Sequence, residues 1–150
     1  MTTIRQALEK DIPRILELYQ QLSLDPSPAP YAAPSLHECA KVFHKMNEYP
    51  NYHLLVAEDT GLVVGTLIIA ILPGFAHNTQ PFAVVEYVVV DEKYRSKGIG
   101  KKMMEAVKSY AKMAGCYKIM LTSDQRRERA HKFYRSIGFE SSAEGFRFYF

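Results

Sequence analysis

Apolar positions along this chain follow two rhythms, and each marks out a set of elements. The helical rhythm appears first: Ile12, Ile15, Leu16, Tyr19 and Leu22 share one face, with Asp11 as N-cap and Pro13 in the first turn. Ser35-x-x-Glu38 is a capping box that opens a second helix through about Glu48, with Leu36, Ala40, Phe43 and Met46 or Asn47 turned inward. Ile99, Met103, Ala106, Val107, Tyr110 and Ala114 predict a third helix, closed by Gly115 in the left-handed position. Residues Arg126 to Ser136 predict a fourth, closed by Gly138. The strand rhythm covers Thr2 to Ala7, His53 to Glu58, Leu62 to Leu72, Phe82 to Val90 and Cys116 to Leu121. Asp59-Thr60-Gly61 is short and glycine-bearing, so the second and third of these form a hairpin. In Phe82 to Val90 alternation is missing and Val dominates, which predicts a strand buried on both faces. Phe139-Glu140 and Phe146 to Phe150 predict a terminal hairpin around Gly145.

Two irregular segments interrupt this pattern. Ser23 to Pro34 carries four prolines, which block helix and remove donors, and its length favours a functional segment over plain linkage. Phe75 to Pro81 is a second loop, entered through Pro73-Gly74. The elements in order predict an α/β fold: a central mixed, mostly antiparallel sheet with helices on both faces. With 150 residues and 47% hydrophobic content, residues 1–150 suit one globular domain with a sizeable core.

The stretch with the strongest chemical content follows the Val-rich strand. A single carboxylate, Glu86, interrupts that strand; Asp91 ends it, and Arg95-Ser96-Lys97-Gly98-Ile99-Gly100 leads into the third helix. Strand, glycine turn and helix make a phosphate cradle, because N–H groups unpaired at a helix start point outward, the helix dipole favours an anion, and glycine admits close approach. The spelling excludes a P-loop, which needs glycine where Arg95 stands and Ser or Thr where Lys102 stands. It also excludes the dinucleotide fingerprint, whose third small residue is here Met103.

Arg95-x-x-Gly98-x-Gly100 after an apolar strand carrying Glu86 resembles the acyl-CoA-binding core of the Gcn5-related N-acetyltransferases. Ala130-His131-Lys132-Phe133-Tyr134-Arg135-Ser136-Ile137-Gly138-Phe139 resembles that family's A-x-x-F-Y-x-x-x-G-F segment, and the likeness runs from about residue 2 to residue 150 in element order. The resemblance implies an acetyl-CoA-dependent N-acetyltransferase working by direct attack of an amine in a ternary complex. It implies that Glu86 is the base, and that a bulge after it frees N–H groups, mapping to Val88 and Val90 around Val89, for the thioester oxygen and the pantetheine arm. It places the cofactor's phosphates at Arg95, Ser96, Lys97, Gly98, Ile99, Gly100 and Lys101, and the donor to the departing thiolate at Tyr134. It implies further that the first two helices and their connection shape the acceptor pocket. One departure stands out. Where many members carry Asn to hold the pantetheine arm, this chain has Arg127, which cannot accept a hydrogen bond but can reach a phosphate.

The residue types suit that chemistry. An alkyl ammonium with a pKa near 10 leaves about one molecule in a thousand nucleophilic at neutral pH, so a base is needed. A phenol, with a reference pKa near 10 against about 8.5 for a thiol, is a sensible donor to a thiolate. Each assignment has a plainer counterpart: Glu86 facing solvent or pairing with Lys118, and Tyr134 as a core tyrosine beside Phe133. His131, beside the helix motif, reads as surface or packing. His37, His44, His53 and His77 share no ligand spacing with the cysteines or with one another, so no metal is expected.

Charge and cysteine content narrow the setting. Net charge is +3, from 19 basic and 16 acidic residues, too small to announce a nucleic-acid partner. Lys93, Arg95, Lys97, Lys101 and Lys102 flank the cradle, while Arg126, Arg127, Arg129, Lys132 and Arg135 read as a solvated helix face. Cys39 and Cys116 suggest no disulfide framework and fit a reducing, cytoplasmic setting. The N-terminus lacks the apolar core of a signal peptide, and the longest apolar run, Leu62 to Leu72, is too short to span a bilayer. The expected partner is a small-molecule amine, with no membrane or nucleic acid involved and a homodimer left open. Tyr31, Phe75 and Phe82 can close over a compact ligand, and few acids besides Asp25 sit in the loops, which disfavours a polyamine. Cys116-Tyr117-Lys118-Ile119 also resembles aminosugar-phosphate acetyltransferases, though a strand fragment assigns no substrate. The rival readings are a catalytically silent acyl-CoA-binding module and a protein N-acetyltransferase.

Overall fold

In the computed structural model, residues 1–24 and 33–150 are described. The expectations placed on Tyr31, Asp25 and most of the proline-bearing connection lie outside the described residues. The chain divides into two compact units, Met1–Met120 and Leu121–Phe150.

The first unit is built on a five-stranded sheet in the order β1 (Thr2–Gln6), β2 (Tyr52–Asp59), β3 (Leu62–Leu72), β4 (Phe82–Val90) and β5 (Ile119–Met120). The first three pairings are antiparallel and β4–β5 is parallel. The β2–β3 turn is made by Thr60 and Gly61, both with positive φ (48° and 84°), the twist that suits a tight hairpin. β5 is shorter than the predicted Cys116 to Leu121. The Cys116 N–H is still engaged with the Ala111 carbonyl at the end of the preceding helix, and only Ile119 and Met120 join the ladder.

Helices cover both faces. On one, α1 (Ile12–Gln20) and α2 (Leu36–Glu48) enclose a core of Ala7, Ile12, Ile15, Leu18, Phe43, Val56, Val63 and Val89. On the other, α4 (Ile99–Met113) buries Ile99, Met103, Met104, Val107 and Ala111. The helical faces are therefore rotated slightly from the predicted ones: Leu18 is fully buried, Met104 and Ala111 pack inward, and Leu36 and Asn47 are exposed at the ends of α2. The Ser35–Glu38 capping box is present, with Glu38 N–H donating to Ser35 Oγ (3.1 Å) and Ser35 N–H to Glu38 Oε2 (2.8 Å). Gly65 on β3 lies under α4: a Cβ there would stand 2.9 Å from Met103 Sδ and 3.1 Å from the Val89 carbonyl oxygen.

Asp11 does not cap α1 with its side chain, because Arg5 holds that carboxylate (2.7 and 3.1 Å) and the Leu8 N–H donates to it (2.8 Å). The chain instead runs through a 3-10 turn, Glu9–Asp11, directly into α1. Arg5 also bonds Glu58 on β2 (2.6 and 2.8 Å), so one guanidinium ties β1 to β2 and to the entry of α1. The loop before β4 holds a one-turn element, α3 (Ala76–Thr79), in which His77 and Asn78 have positive φ and the His77 ring stacks on Tyr117 at 3.9 Å.

The second unit contains α5 (Glu128–Ser136). It starts two residues later than predicted, since Asp124 closes a turn by accepting the N–H groups of Arg126 (2.9 Å, side chain) and Arg127 (3.0 Å, carbonyl). Gly138 (φ 94°) follows its end. The predicted terminal hairpin is not formed: residues 137–150 contain no strand among the described residues. Two short strands alone make a marginal ladder, and here Phe146, Phe148, Tyr149 and Phe150 stay exposed.

Candidate active site

The site in the first unit begins where β4 loses its regular pairing. Glu86 sits opposite Ile68 and Val89 opposite Thr66, so Tyr87 and Val88 together face Leu67: a β-bulge, with Tyr87 in the left-handed region (φ 53°). An aromatic residue there is strained, since that backbone is ordinarily reserved for glycine or Asn. The bulge also reverses which way each N–H points. Before it, the Ala83 N–H donates to Lys118 on the β5 side; after it, the Asp91 N–H donates to Val64 on β3. Alternation therefore aims the N–H groups of Val88 and Val90 away from β3. The described pairing of β4 with β5 ends at Val84–Met120.

β4 is not buried on both faces as predicted. Ala83, Val85 and Val89 are buried, but the bulge turns Glu86 and Tyr87 out to solvent. Glu86 makes no ion pair among the described residues; the Lys118 ammonium lies instead over the rings of Tyr117 and Phe82 (5.4 and 5.9 Å). Three tyrosines neighbour Glu86 on the face covered by α1. Tyr19 packs on Tyr87 with centroids 5.5 Å apart, and Tyr52 belongs to the same group. Burial, then the neighbouring phenols, pushes the Tyr19 hydroxyl well above its ordinary range, so it stays protonated. Tyr52 is raised by burial, then by Tyr87 and Glu86. Periodicity alone reads Tyr19 as core and gives no sign of Tyr52 or Tyr87; their signal is position, Tyr87 beside the lone carboxylate and Tyr52 two residues ahead of Leu54, which is level with it.

Past β4 the chain is pinned before it turns. Asp91, only 5% exposed, accepts the Lys93 N–H (2.9 Å) and pairs with Arg14 of α1, whose Nε also donates to the Val63 carbonyl (3.0 Å). Burial alone would raise the Asp91 pKa; the Lys93 N–H and the Arg14 guanidinium outweigh it and hold the carboxyl below the usual range. A 3-10 turn, Glu92–Tyr94, follows. Arg95 then donates from Nε to the Val90 carbonyl (3.0 Å), bracing the turn. Ser96 (φ 63°) and Gly98 (φ 79°) are both left-handed, and Gly98 is the N-cap of α4.

The first helical bond of α4 runs from the Lys102 N–H to the Gly98 carbonyl (3.1 Å). The N–H groups of Ile99, Gly100 and Lys101 thus have no carbonyl of their own helix to meet, which is the arrangement that receives an anion. Lys97 and Lys101 are exposed beside them, with the Lys97 ammonium 4.7 Å from the Tyr94 ring centroid. Residues present at this turn fit a pyrophosphate: outward N–H groups, a left-handed glycine with open space around it, and flanking cations.

In the second unit, Tyr134 lies in α5 with its ring edge-on to Phe139 (5.8 Å) and tilted against Phe133 (5.3 Å). Burial raises its phenol and Arg127 pulls the other way, with a net upward shift. Arg127 is the N-cap residue of α5, its carbonyl accepting the His131 N–H (3.1 Å). Among the described residues, no group of three or more His, Cys, Asp or Glu is placed to hold a metal ion, and no helix is long and apolar enough to cross a membrane.

Comparison with known proteins gives a consistent set of likenesses. The model of the acetyltransferase (GNAT) family matches residues 13–139. A glucosamine 6-phosphate N-acetyltransferase from Trypanosoma brucei brucei is 33% identical over 84 residues, 56% of this chain and 55% of that protein. The chain matches about half the length of such curated relatives. Among solved structures, a putative acetyltransferase from Agrobacterium tumefaciens has a TM-score of 0.87 at 33% identity, covering 98% of this chain and 99% of that one. The glucosamine-6-phosphate N-acetyltransferase of Arabidopsis thaliana has a TM-score of 0.85 at 26% identity, covering 100% and 99%.

Proposed function

The chain belongs to the GNAT acetyltransferase family, and from that premise we propose that it transfers the acetyl group of acetyl-CoA to the primary amine of a small molecule, by direct attack in a ternary complex. The observation that carries the reading is the bulge at Tyr87–Val88, which turns Glu86 to solvent and two N–H groups away from β3 within one strand turn of the glycine cradle.

Each residue then has a defined task. Glu86 takes the proton from the acceptor ammonium, directly or through a water, so that the amine's lone pair can attack the thioester carbon. The Val88 N–H donates to the oxygen on which negative charge develops, and being backbone it costs no reorganisation. The Val90 N–H, with Val89 packed beneath it, serves the pantetheine arm. Tyr134 donates a hydrogen bond to the sulfur as the C–S bond breaks and relays to it the proton that the acylated nitrogen sheds, so the phenol ends protonated and the thiol leaves neutral. The N–H groups of Ile99, Gly100 and Lys101 receive the pyrophosphate, flanked by Arg95, Ser96 and Lys97, while Arg127 supplies a further cation for a phosphate. Acetyl-CoA itself supplies only the activated acyl group. Relatives named for glucosamine 6-phosphate act on a small-molecule amine, which supports that class of acceptor over a protein tail.

Gly98→Asp tests the cofactor assignment. Asp tolerates left-handed backbone better than most residues, so the fold is kept while a carboxylate enters the anion position. Isothermal calorimetry is expected to show acetyl-CoA affinity lost; unchanged affinity in the folded variant overturns the assignment. An amine panel read by thiol release tests the reaction.

A further inference from the structure

Resting on that reading and deepening it, we infer that Tyr19 is a positioning residue whose ring holds Tyr87 in the left-handed turn of the bulge and thereby keeps the Val88 N–H aimed away from β3. The flanks of the bulge are fixed by other bonds. Glu86 and Val89 stay in register with Ile68 and Thr66, the Asp91 N–H donates to the Val64 carbonyl (2.9 Å), and the Glu92 N–H donates to the side-chain oxygen of Gln21, the C-cap residue of α1 (3.0 Å). Between those points two residues, Tyr87 and Val88, face Leu67 alone, and regular pairing settles the backbone of neither.

Left-handed backbone is costly for any residue with a Cβ, and it persists only where the surroundings over-determine it. Tyr87 is 54% exposed, so burial does not supply that constraint. The Tyr19 ring does. Its centroid lies 5.5 Å from that of Tyr87 with the planes at 40°, a separation at which aromatic pairs contribute a free energy of the same order as the left-handed penalty of one residue. Tyr19 is itself carried by α1, and the Arg14–Asp91 pair ties that helix to the far end of the same stretch. One helix therefore grips β4 and the residue after it at Tyr87 and Asp91, on either side of the Val88 and Val90 N–H groups.

Support of this kind ranks substitutions in an order that packing alone does not. Tyr87→Ala keeps the left-handed penalty and loses the ring, so the backbone falls back toward the ordinary region and the Val88 N–H turns with it. Tyr87→Gly removes still more side chain but carries no such penalty, so the turn stands without help from Tyr19. At the other ring, Tyr19→Phe keeps the contact and Tyr19→Ala removes it.

The test needs no acceptor amine. Acetyl-CoA labelled with carbon-13 at the thioester carbonyl is bound to the wild type, to these four variants and to Tyr19→Ala combined with Tyr87→Gly, and the carbonyl resonance is read by NMR beside affinity by calorimetry. The wild type is expected to move the resonance downfield, because an N–H donating to the oxygen polarises the carbonyl. Tyr19→Phe and Tyr87→Gly are expected to retain that shift. Tyr19→Ala and Tyr87→Ala are expected to lose most of it and to bind acetyl-CoA about five- to tenfold more weakly, the worth of one hydrogen bond. Adding Tyr19→Ala to Tyr87→Gly is expected to change nothing further. Tyr87 is more than half exposed, so its two variants carry the test even where Tyr19→Ala fails to fold. A wild-type shift in Tyr19→Ala, or Tyr87→Ala and Tyr87→Gly behaving alike, overturns the inference and leaves the acetyltransferase reading standing. Absence of acetyl-CoA binding to the wild type overturns both.

Discussion

The Arg14 guanidinium on α1 closes on the Asp91 carboxylate at the end of β4, linking that helix to the glycine-bearing turn that opens α4. Asp91→Asn leaves a largely buried guanidinium bond unmade, and charged hydrogen bonds of this kind are worth roughly 1.5–3 kcal/mol. The variant is expected to lose about that much stability at pH 7 in urea denaturation. The sign with pH follows from the depressed carboxyl: its contribution is present above the unfolded-chain value of about 4 and is lost as pH falls through the lower folded-state value. The gap between wild type and variant is therefore expected to narrow below about pH 4; a gap independent of pH contradicts the pairing.

Glu86→Gln is expected to lower kcat by about a hundredfold with acetyl-CoA affinity little changed. Raising the pH restores part of the rate, because more of the acceptor amine is already neutral. A pH–rate profile that overlays the wild type removes Glu86 from the role of base.

Tyr134→Phe keeps the ring against Phe139 and Phe133 and removes only the hydroxyl. Turnover is expected to fall about tenfold or more while acetyl-CoA still binds, since the hydroxyl matters most as charge grows on sulfur. Unchanged turnover with chemistry rate-limiting returns Tyr134 to a packing role.

Gly65→Val forces branched carbon into the 2.9 Å gap to Met103 Sδ and the 3.1 Å gap to the Val89 carbonyl. Overpacking of this kind costs typically 1–3 kcal/mol. Thermal denaturation is expected to show a lowered Tm, with partial recovery in Gly65→Val combined with Met103→Ala. A Tm equal to the wild type's places the close approach outside the stability of the sheet.

Elements governed by strong local signals were legible in the sequence. Phe82–Val90 has the bounds its apolar run predicts, and Ser35–Glu38 and Gly115 start and end helices where their chemistry demands. Features set by distant partners were not. Met104 and Ala111 face inward because of where α4 meets the sheet, not because of a break in its periodicity. β5 is short because the Cys116 N–H remains committed to the preceding helix. The bulge lies hidden because its left-handed position holds Tyr87, and no glycine advertises it. For the same reason the Tyr19, Tyr52 and Tyr87 group could not be assembled from periodicity, which assigns aromatic residues to the core.

At Tyr87 backbone conformation and side-chain placement make opposite demands. Glycine would relax the left-handed backbone by about 1 kcal/mol or more, and it would also strip away the ring that faces Tyr19. The strain at Tyr87 is thus tied to a ring that glycine could not supply beside Glu86.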